Sequence, residues 1–529
     1  MTTVSRRSLL LQSVAVVGLS GLAGGAIAHT ARAADIKYGP STSFSFDALT
    51  ERAKWLAKQE YKRTPVAAPQ QIEALDYDAH WQIRFRKDQS LYPAARSAPV
   101  ELFHPGRFFP EPVNIHEVSG GESRQVIYDR SFFDMPEDSP ARHLPEDTGF
   151  AGFRVMRPGG KPDWISFLGA SYFRADGPLG QYGLSARGLA INTGLAEPEE
   201  FPRFTDIWLG PPQEEGDTLT AWALLDGPSV TGAYQFGLRD KNDLPGQLVT
   251  VKCHIFMRKS VKRIGIAPLT SMYWYAERDR GQDHAHDWRP EIHDSDGLAI
   301  KTGHGERIWR ALWNNHQGVE TSSFFDENPD GFGLIQRDRN FEHYQDDGVF
   351  YNRRPSVWVE PQGDWGKGSV QLIEIPTHDE TFDNIVAYWS PETTPEAGDE
   401  LTYEYKLNWT DRDPQPEQVA HTHATYQGIG GAPGSDLPKG TDKMVVDFIG
   451  GPLDTLPDDS TVEPVIEARG GRILEPVAVR PVVGTKRWRL TFDFTADEGI
   501  DKIELRAYLK HGDKTLSETW ITRASIDHS

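Results

Sequence analysis

Trp488-Arg489-Leu490-Thr491-Phe492-Asp493-Phe494 sorts its apolar and polar residues one by one. Successive side chains of an extended chain point to opposite faces. Trp488, Leu490, Phe492 and Phe494 therefore share a dry face, and Arg489, Thr491 and Asp493 a wet one. Ile503, Leu505, Ala507 and Leu509 alternate in the same way. Roughly seven strands of this length fit between Met444 and Ile526, enough for a small immunoglobulin-like sandwich. Upstream lies the polar, proline-bearing stretch Thr410-Asp411-Arg412-Asp413-Pro414-Gln415-Pro416-Glu417, which reads as a linker over 410–422. It divides a large segment, 34–409, from a small one, 423–529.

The large segment carries the same period. Trp164-Ile165-Ser166-Phe167-Leu168, Asp206-Ile207-Trp208, Leu219-Thr220-Ala221-Trp222, 248–257 and 356–360 are short, rich in β-branched or aromatic residues, and close to Gly or Pro. They predict an all-β fold built as a sandwich. Helical spacing is confined mainly to the start, where Ser45 caps a pattern in which Leu49, Ala53, Leu56 and Ala57 share one face.

The N-terminus reads as an address. Ser5-Arg6-Arg7-Ser8-Leu9-Leu10 opens an apolar stretch, broken by Gly18, Gly21, Gly24 and Gly25, that ends before Ala31-Arg32-Ala33. Paired arginines, a mildly apolar core and a small-residue cleavage site predict a twin-arginine signal over 1–33, removed on export to the periplasm. A membrane anchor is the competing reading, and the cleavage site argues against it. No later stretch is long and apolar enough to span a bilayer, so no membrane insertion is expected after signal removal. The signal holds Arg6, Arg7 and Arg32 and no acids, which leaves 53 basic against 77 acidic groups, a net charge near −24. That charge opposes binding to nucleic acid or an anionic lipid surface. The single cysteine, Cys253, forms no internal disulfide and reads as a small core hydrophobe. Oligomeric state is left open, a homodimer being one option.

Chemistry-bearing residues concentrate between 271 and 390. This window holds seven of the 15 Trp: Trp274, Trp288, Trp309, Trp313, Trp358, Trp365 and Trp389. It also holds Asp287-Trp288-Arg289-Pro290-Glu291-Ile292-His293-Asp294-Ser295-Asp296-Gly297 and Tyr351-Asn352-Arg353-Arg354-Pro355-Ser356. Glu374-Ile375-Pro376-Thr377-His378-Asp379-Glu380-Thr381-Phe382-Asp383-Asn384 closes it. Aromatic faces stack on sugar rings while carboxylates and guanidiniums grip hydroxyls, so the cluster predicts a carbohydrate site. The competing reading is a Trp-rich core with solvated acidic turns. Asp294 and Asp296 before Gly297 also fit plain turn chemistry or part of a calcium loop, but the remaining spaced ligands are missing. His284, His286 and His293 lack the spacing of a zinc site and read as exposed loop histidines. No Gly-x-Ser-x-Gly elbow or phosphate-cradling glycine motif occurs. Neither a metal nor a cofactor is expected. What remains is paired carboxylates, the equipment for glycosidic hydrolysis. Asp379, Glu380 and Asp383 lie within five residues, so mutual repulsion could raise one pKa.

At these residues the chain resembles the periplasmic glucan biosynthesis proteins of Gram-negative bacteria, the G/D family. The likeness rests on Gln181-Tyr182-Gly183-Leu184-Ser185-Ala186-Arg187-Gly188-Leu189-Ala190 and Ala267-Pro268-Leu269-Thr270-Ser271-Met272-Tyr273-Trp274. It extends over 288–298, Asp364-Trp365-Gly366-Lys367-Gly368 and 374–389. The export signal aligns it with the D-type members. The resemblance implies a large galactose-mutarotase-like β-sandwich followed by an immunoglobulin-like domain, acting on osmoregulated periplasmic glucan. D-type proteins are similar to inverting endo-β-1,2-glucanases, and some relatives transfer the cut chain instead. By motif, Asp383 becomes the general acid with Glu380 beside it, and Asp294 or Asp296 the base-side carboxylate. Tyr351 becomes a polar partner in the proton path, and Trp274, Trp288, Arg289, Arg354, Trp365 and Asp379 become substrate contacts. An inverting pair stands roughly 6.5–9.5 Å apart unless a relay intervenes. A noncatalytic factor that binds glucan and shapes its backbone is the alternative.

Overall fold

The computed structural model describes residues 36–526 except 93–97, 241–245, 280–286, 414–417, 433, 435–439 and 501. Residues 1–33, expected to be an export signal, with His284, His286 and the centre of the polar stretch 410–422, lie outside the described residues.

The protein is built from strands. Among the described residues one sheet has sixteen strands and faces a second of ten. Their inner faces meet through aromatic rings. Phe167 and Phe173 of the smaller sheet stand edge-on to Phe236 of the larger at 5.3 Å, and Phe173 lies 6.0 Å from Trp409. The long hairpin of Val230–Asp240 and Gly246–Met257 shows why the sequence folds this way. Val249, Val251, Cys253 and Ile255 alternate inward and are buried, while the residues between them stay half-exposed. Each large apolar side chain so buried contributes about 1.5–3 kcal/mol. Cys253 is one of these core residues, and burial pushes its thiol up to about 12. The sheet's outer face carries the helix Phe46–Ala57, capped by Ser45 Oγ accepting from the Ala48 N–H at 3.1 Å. Leu49 and Ala53 press onto Trp208, Trp222 and Phe256.

The C-terminal strands form a second sandwich. Its outer sheet runs His421–Ile429, Thr441–Ile449, Trp488–Ala496, Gly471–Pro481. Trp488, Leu490, Phe492 and Phe494 face inward, packed with Ile503, Leu505, Ala507, Leu509 and Trp520. The opposing sheet is no separate body. Thr519–Ser525 pairs in parallel with Arg307–Ala311, with Trp520 opposite Trp309. Thus Lys502–His511 and Glu463–Arg469 continue the sixteen-stranded sheet. The small core also takes in Trp309, Ile335 and Trp358 from the large segment. Arg337 ties the halves again. Its guanidinium lies 3.6 Å from the Trp309 ring centroid and donates to Glu518 at 2.6 and 3.0 Å, to Asp413 at 3.1 Å and to the Thr422 carbonyl at 3.1 Å. Asp413, inside the polar stretch 410–422, also accepts from Arg307 at 2.7 Å.

Candidate functional site

The acidic motif 374–384 becomes a loop between Lys367–Glu374 and Ile385–Pro391, adjacent strands of the ten-stranded sheet. Two buried asparagines fix its shape. Asn384 accepts from the Tyr273 N–H at 2.8 Å and donates to the carbonyls of Tyr273 and Ile375 at 2.8 and 3.0 Å. Asn314 donates to the carbonyls of Trp274 and Thr377 and accepts from the Thr377 N–H. At the loop's root, Glu374 and Arg310 form a fully buried ion pair at 2.9 Å.

The loop's three carboxylates divide their tasks. Asp379 is exposed and accepts from the Thr381 N–H and hydroxyl at 2.7 and 2.6 Å, so it shapes its own turn. Glu380 accepts from Arg289 at 3.0 and 3.2 Å and from the Tyr351 hydroxyl. Arg289 also holds Asp346 at 2.6 Å and Asp287 at 2.7 Å. Burial opposes its charge, but these three carboxylates outweigh that and hold the guanidinium above its ordinary pKa. Asp383 is half-buried, and its charge acts on Arg174, Arg187 and Arg354, all three buried.

Asp294 and Asp296 go different ways. Asp294 is fully buried with its carboxylate 3.6 Å from Arg354 Nε. Arg354 sits 5.1 Å over the Tyr351 ring and donates to the Tyr182 carbonyl. Gly183 packs closely beside it, and a Cβ there would lie 3.1 Å from the Arg354 Cβ, a tight contact. Asp296 instead lines a cavity of about 500 Å³ beneath the C-terminal sandwich, with Glu277, Glu291, Asp338, His423 and Tyr426. It accepts from the N–H groups of Arg337 and Asp338 and meets His293 Nδ1 at 3.1 Å. Burial, reinforced by Asp338, raises the Asp296 pKa, and His293 offsets part of that. Burial works against the charged form of His293, yet Glu291 and Asp296 prevail and lift it to about 9. Burial and the nearby Glu291 push Glu277 up to about 8. Tyr273 lines the same cavity and is the residue Asn384 clasps, which links the cavity wall to the Asp383 loop.

Several expectations are corrected. Gly297 is not a turn residue: it opens the strand Gly297–Lys301, where a Cβ would fall 2.4 Å from the Trp309 ring. His293 is buried and bonded to Gln336 and Glu291 rather than exposed. The tryptophan enrichment is mostly core, since Trp309, Trp313, Trp358, Trp365 and Trp389 are all buried. Trp365 packs edge-on against Tyr403 at 5.2 Å and donates to the Glu404 carbonyl, so it offers no face to a sugar. Arg354 has no exposed surface either and acts on the loop through charge. Trp274 is half-buried, and Trp288 stands 73 % exposed beside Arg289. Asn314, Asn384, Asp346 and Glu277 escaped the sequence reading. Asn384 was the last residue of a quoted motif, and the others carried no local signal. A cation could be held by Glu291, Asp338 and His343, whose ligand atoms lie within 4.8 Å of one another. However, His343 is already bonded to Asp338 through Nδ1 and lies 3.2 Å from the Asn340 amide through Nε2. The set closes on itself.

No helix among the described residues is long and apolar enough to cross a membrane. Residues 44–524 match the family described as "Periplasmic glucan biosynthesis protein, MdoG". The chain is similar to Glucans biosynthesis protein D 2 of Ralstonia nicotianae, 46% identical over 98% of this chain and 97% of that protein. Glucans biosynthesis protein D 1 of the same organism is 47% identical over 97% of each. Glucans biosynthesis protein D of Stenotrophomonas maltophilia is 44% identical over 96% of this chain and 95% of its own length. Matched along nearly its whole length by sequence and built throughout from β-sandwich layers, the chain belongs to the periplasmic glucan biosynthesis family, MdoG.

Proposed function

We propose that the protein is exported to the periplasm by its twin-arginine signal and there cleaves β-1,2-glucan internally, with inversion, as a step in glucan biosynthesis. The observation that carries this reading is the division of tasks on the loop 375–384. Asp379 serves its own turn and Glu380 serves Arg289 and Tyr351, while Asp383 stands half-exposed on the same loop with its charge acting on Arg174, Arg187 and Arg354. A glucan laid across the loop would exclude water from the carboxyl that protonates the leaving oxygen.

For the base side, Asp296 suits the task better than Asp294. It opens on a cavity of about 500 Å³, large enough to admit water, and its raised pKa favours taking up a proton. Asp294, sealed against Arg354, balances charge. Tyr351, bonded to Glu380, orders the cleft between them. Trp274 and Trp288 offer faces to the sugar rings, and Arg289 keeps the Trp288 segment beside the loop.

The test is to incubate purified protein with linear β-1,2-glucan and profile the products and their anomers. Shortened chains with an inverted anomeric centre are expected, and Asp383→Asn should bind the polymer without cutting it. Polymer that is bound but left intact by the wild type would make the protein a binding factor. Lengthened or cyclised products would make it a transferase. Full activity in Asp383→Asn would remove that residue from the acid role.

A further inference from the structure

Tyr273 touches both halves of the candidate site. It opens the strand Tyr273–Tyr275, which pairs with Ile292–His293 and places Tyr273 opposite His293. Its ring stacks on the His293 imidazole, with 5.6 Å between centroids and 25° between planes. His293 in turn meets Asp296 at 3.1 Å. The residues before Tyr273 tighten the same seam. The Met272 carbonyl accepts from the Asp294 N–H at 2.8 Å, and the Ser271 and Ser295 hydroxyls share a hydrogen bond of 2.8 Å. Meanwhile the Tyr273 backbone exchanges two hydrogen bonds of 2.8 Å with the side chain of Asn384, the residue after Asp383. One residue therefore grips the segment of the candidate base and the loop of the candidate acid.

The Tyr273 hydroxyl has a third attachment. It donates to Asp279 Oδ2 at 2.7 Å, which also accepts from the Ala276 N–H at 3.1 Å. Burial and Asp279 raise the hydroxyl well above its ordinary pKa, so it stays a donor at neutral pH. Asp279 ends the short 3-10 turn Glu277–Asp279, and this turn clasps the C-terminal sandwich. Glu277 accepts from the Thr425 N–H at 2.9 Å, while Arg278 donates to the Thr522 hydroxyl and, at 2.6 Å, to the Arg523 carbonyl. Tyr273, Arg278, Asp279 and Asn384 are all buried. A line of buried bonds thus runs from the C-terminal sandwich through Asp279 and Tyr273 to the acid loop. A close-packed interior transmits a displacement along such a line rather than absorbing it.

We propose that Tyr273 is a positioning residue which, anchored through Asp279 to the turn that clasps the C-terminal sandwich, sets the spacing between Asp383 and Asp296. This rests on the glucan-cleaving reading above and deepens it. An inverting pair needs a fixed gap that admits a water, and a shift of about 1 Å at a reacting group costs about a hundredfold in rate. With 1 % of its surface exposed, Tyr273 acts on the two carboxylates through Asn384 and His293 and not on the sugar.

Steady-state cleavage of linear β-1,2-glucan by the full chain tests this. Tyr273→Phe removes one hydroxyl and keeps both the ring on His293 and the backbone bonds to Asn384. It should lower kcat about tenfold and change KM by less than about twofold. Asp279→Ala should do the same, and Asp279→Asn, which keeps an oxygen for the hydroxyl, should recover most of kcat. Combining Tyr273→Phe with Asp279→Ala should cost no more than either alone, because both cut one link. Tyr128→Phe also loses a buried hydroxyl bond, 3.0 Å from His104, and should lower Tm with kcat untouched. Far-ultraviolet circular dichroism checks that each variant is folded. A normal kcat in Tyr273→Phe overturns the positioning role, and so does a double variant whose losses add. A wild type that leaves the glucan intact removes the cleavage reading and this role with it. A wild type that cuts beside an equally active Tyr273→Phe removes the role alone.

Discussion

Arg354 keeps a guanidinium in a place with no exposed surface, 3.6 Å from a fully buried carboxylate. Burial lowers its pKa, and Tyr351, Asp346, Glu380 and Asp383 resist that. Such a pair is retained only if both members stay, because removing one strands the other charge at about 3–5 kcal/mol. Arg354→Ala should thus lower Tm by many degrees, and adding Asp294→Asn should restore part of the loss. Thermal melts of the two variants check this, and an equal Tm in both would count against the pairing. Glu277 gives a pH-dependent expectation. Its folded pKa, about 8, lies above its ordinary 4.5, so the folded state holds a proton that the unfolded state has lost. This contribution is full below about pH 4.5 and disappears as pH rises through about 8. His293, lifted from 6.5 to about 9, acts in the same sense, full below about 6.5 and lost through about 9. Stability from this cavity therefore declines from weakly acidic to alkaline pH. Glu277→Gln keeps the acceptor for the Thr425 N–H, 2.9 Å away, and should flatten the fall of Tm between about pH 5 and 8. Parallel wild-type and variant curves would refute it.

At the scale of elements, strands were legible and loops were only half so. The alternation at 488–494 and 503–509 is a local property, and the structure repeats it residue for residue. The acidic loop was legible as a cluster of carboxylates, because charge density shows in composition. Its shape was not, because Asn314 reaches Trp274 and Thr377 and Asn384 reaches Tyr273, 40 to 111 residues away, a distance that no period encodes. Tryptophan misled for a related reason. A ring suited to a sugar face is equally suited to a core, and only the fold decides which face is dry. The pinning makes a prediction for the loop. Asn384→Ala strips partners from three buried backbone groups, each costing about 1–3 kcal/mol if left unsatisfied. The Asp383 loop should lose its position while the aromatic platforms stay. In a glucan-cleavage assay kcat should fall at least about tenfold with KM nearly unchanged. A lowered Tm with normal kcat would assign Asn384 to stability alone.

Across the whole molecule, the two sandwiches share a sheet, a core and Arg337. The polar stretch 410–422 was easy to read as a linker, since prolines and charges mark chain that leaves a core. Its ion pairs were hidden, because Arg307 and Arg337 lie far upstream of Asp413. Arg337 also reaches the candidate base, since its backbone N–H bonds to Asp296 while its side chain grips Glu518. Arg337→Ala leaves Glu518, 1% exposed, without its guanidinium and should cost about 3–5 kcal/mol. Denaturant unfolding measures this. A chain ending at 410 would bare the strand Arg307–Ala311 and the rings of Trp309 and Trp358, and should aggregate in size-exclusion chromatography.

The parallel pairing of Thr519–Ser525 with Arg307–Ala311 also sets a clock. A chain leaving the ribosome makes residue 311 some two hundred residues before the strand that covers it. Throughout that interval an apolar sheet edge waits without its neighbour, the state in which nascent β-proteins pair with the wrong chain. Only the finished polypeptide can complete the sheet. Under the proposed twin-arginine export, the chain would complete this sheet among chaperones before it crosses the membrane.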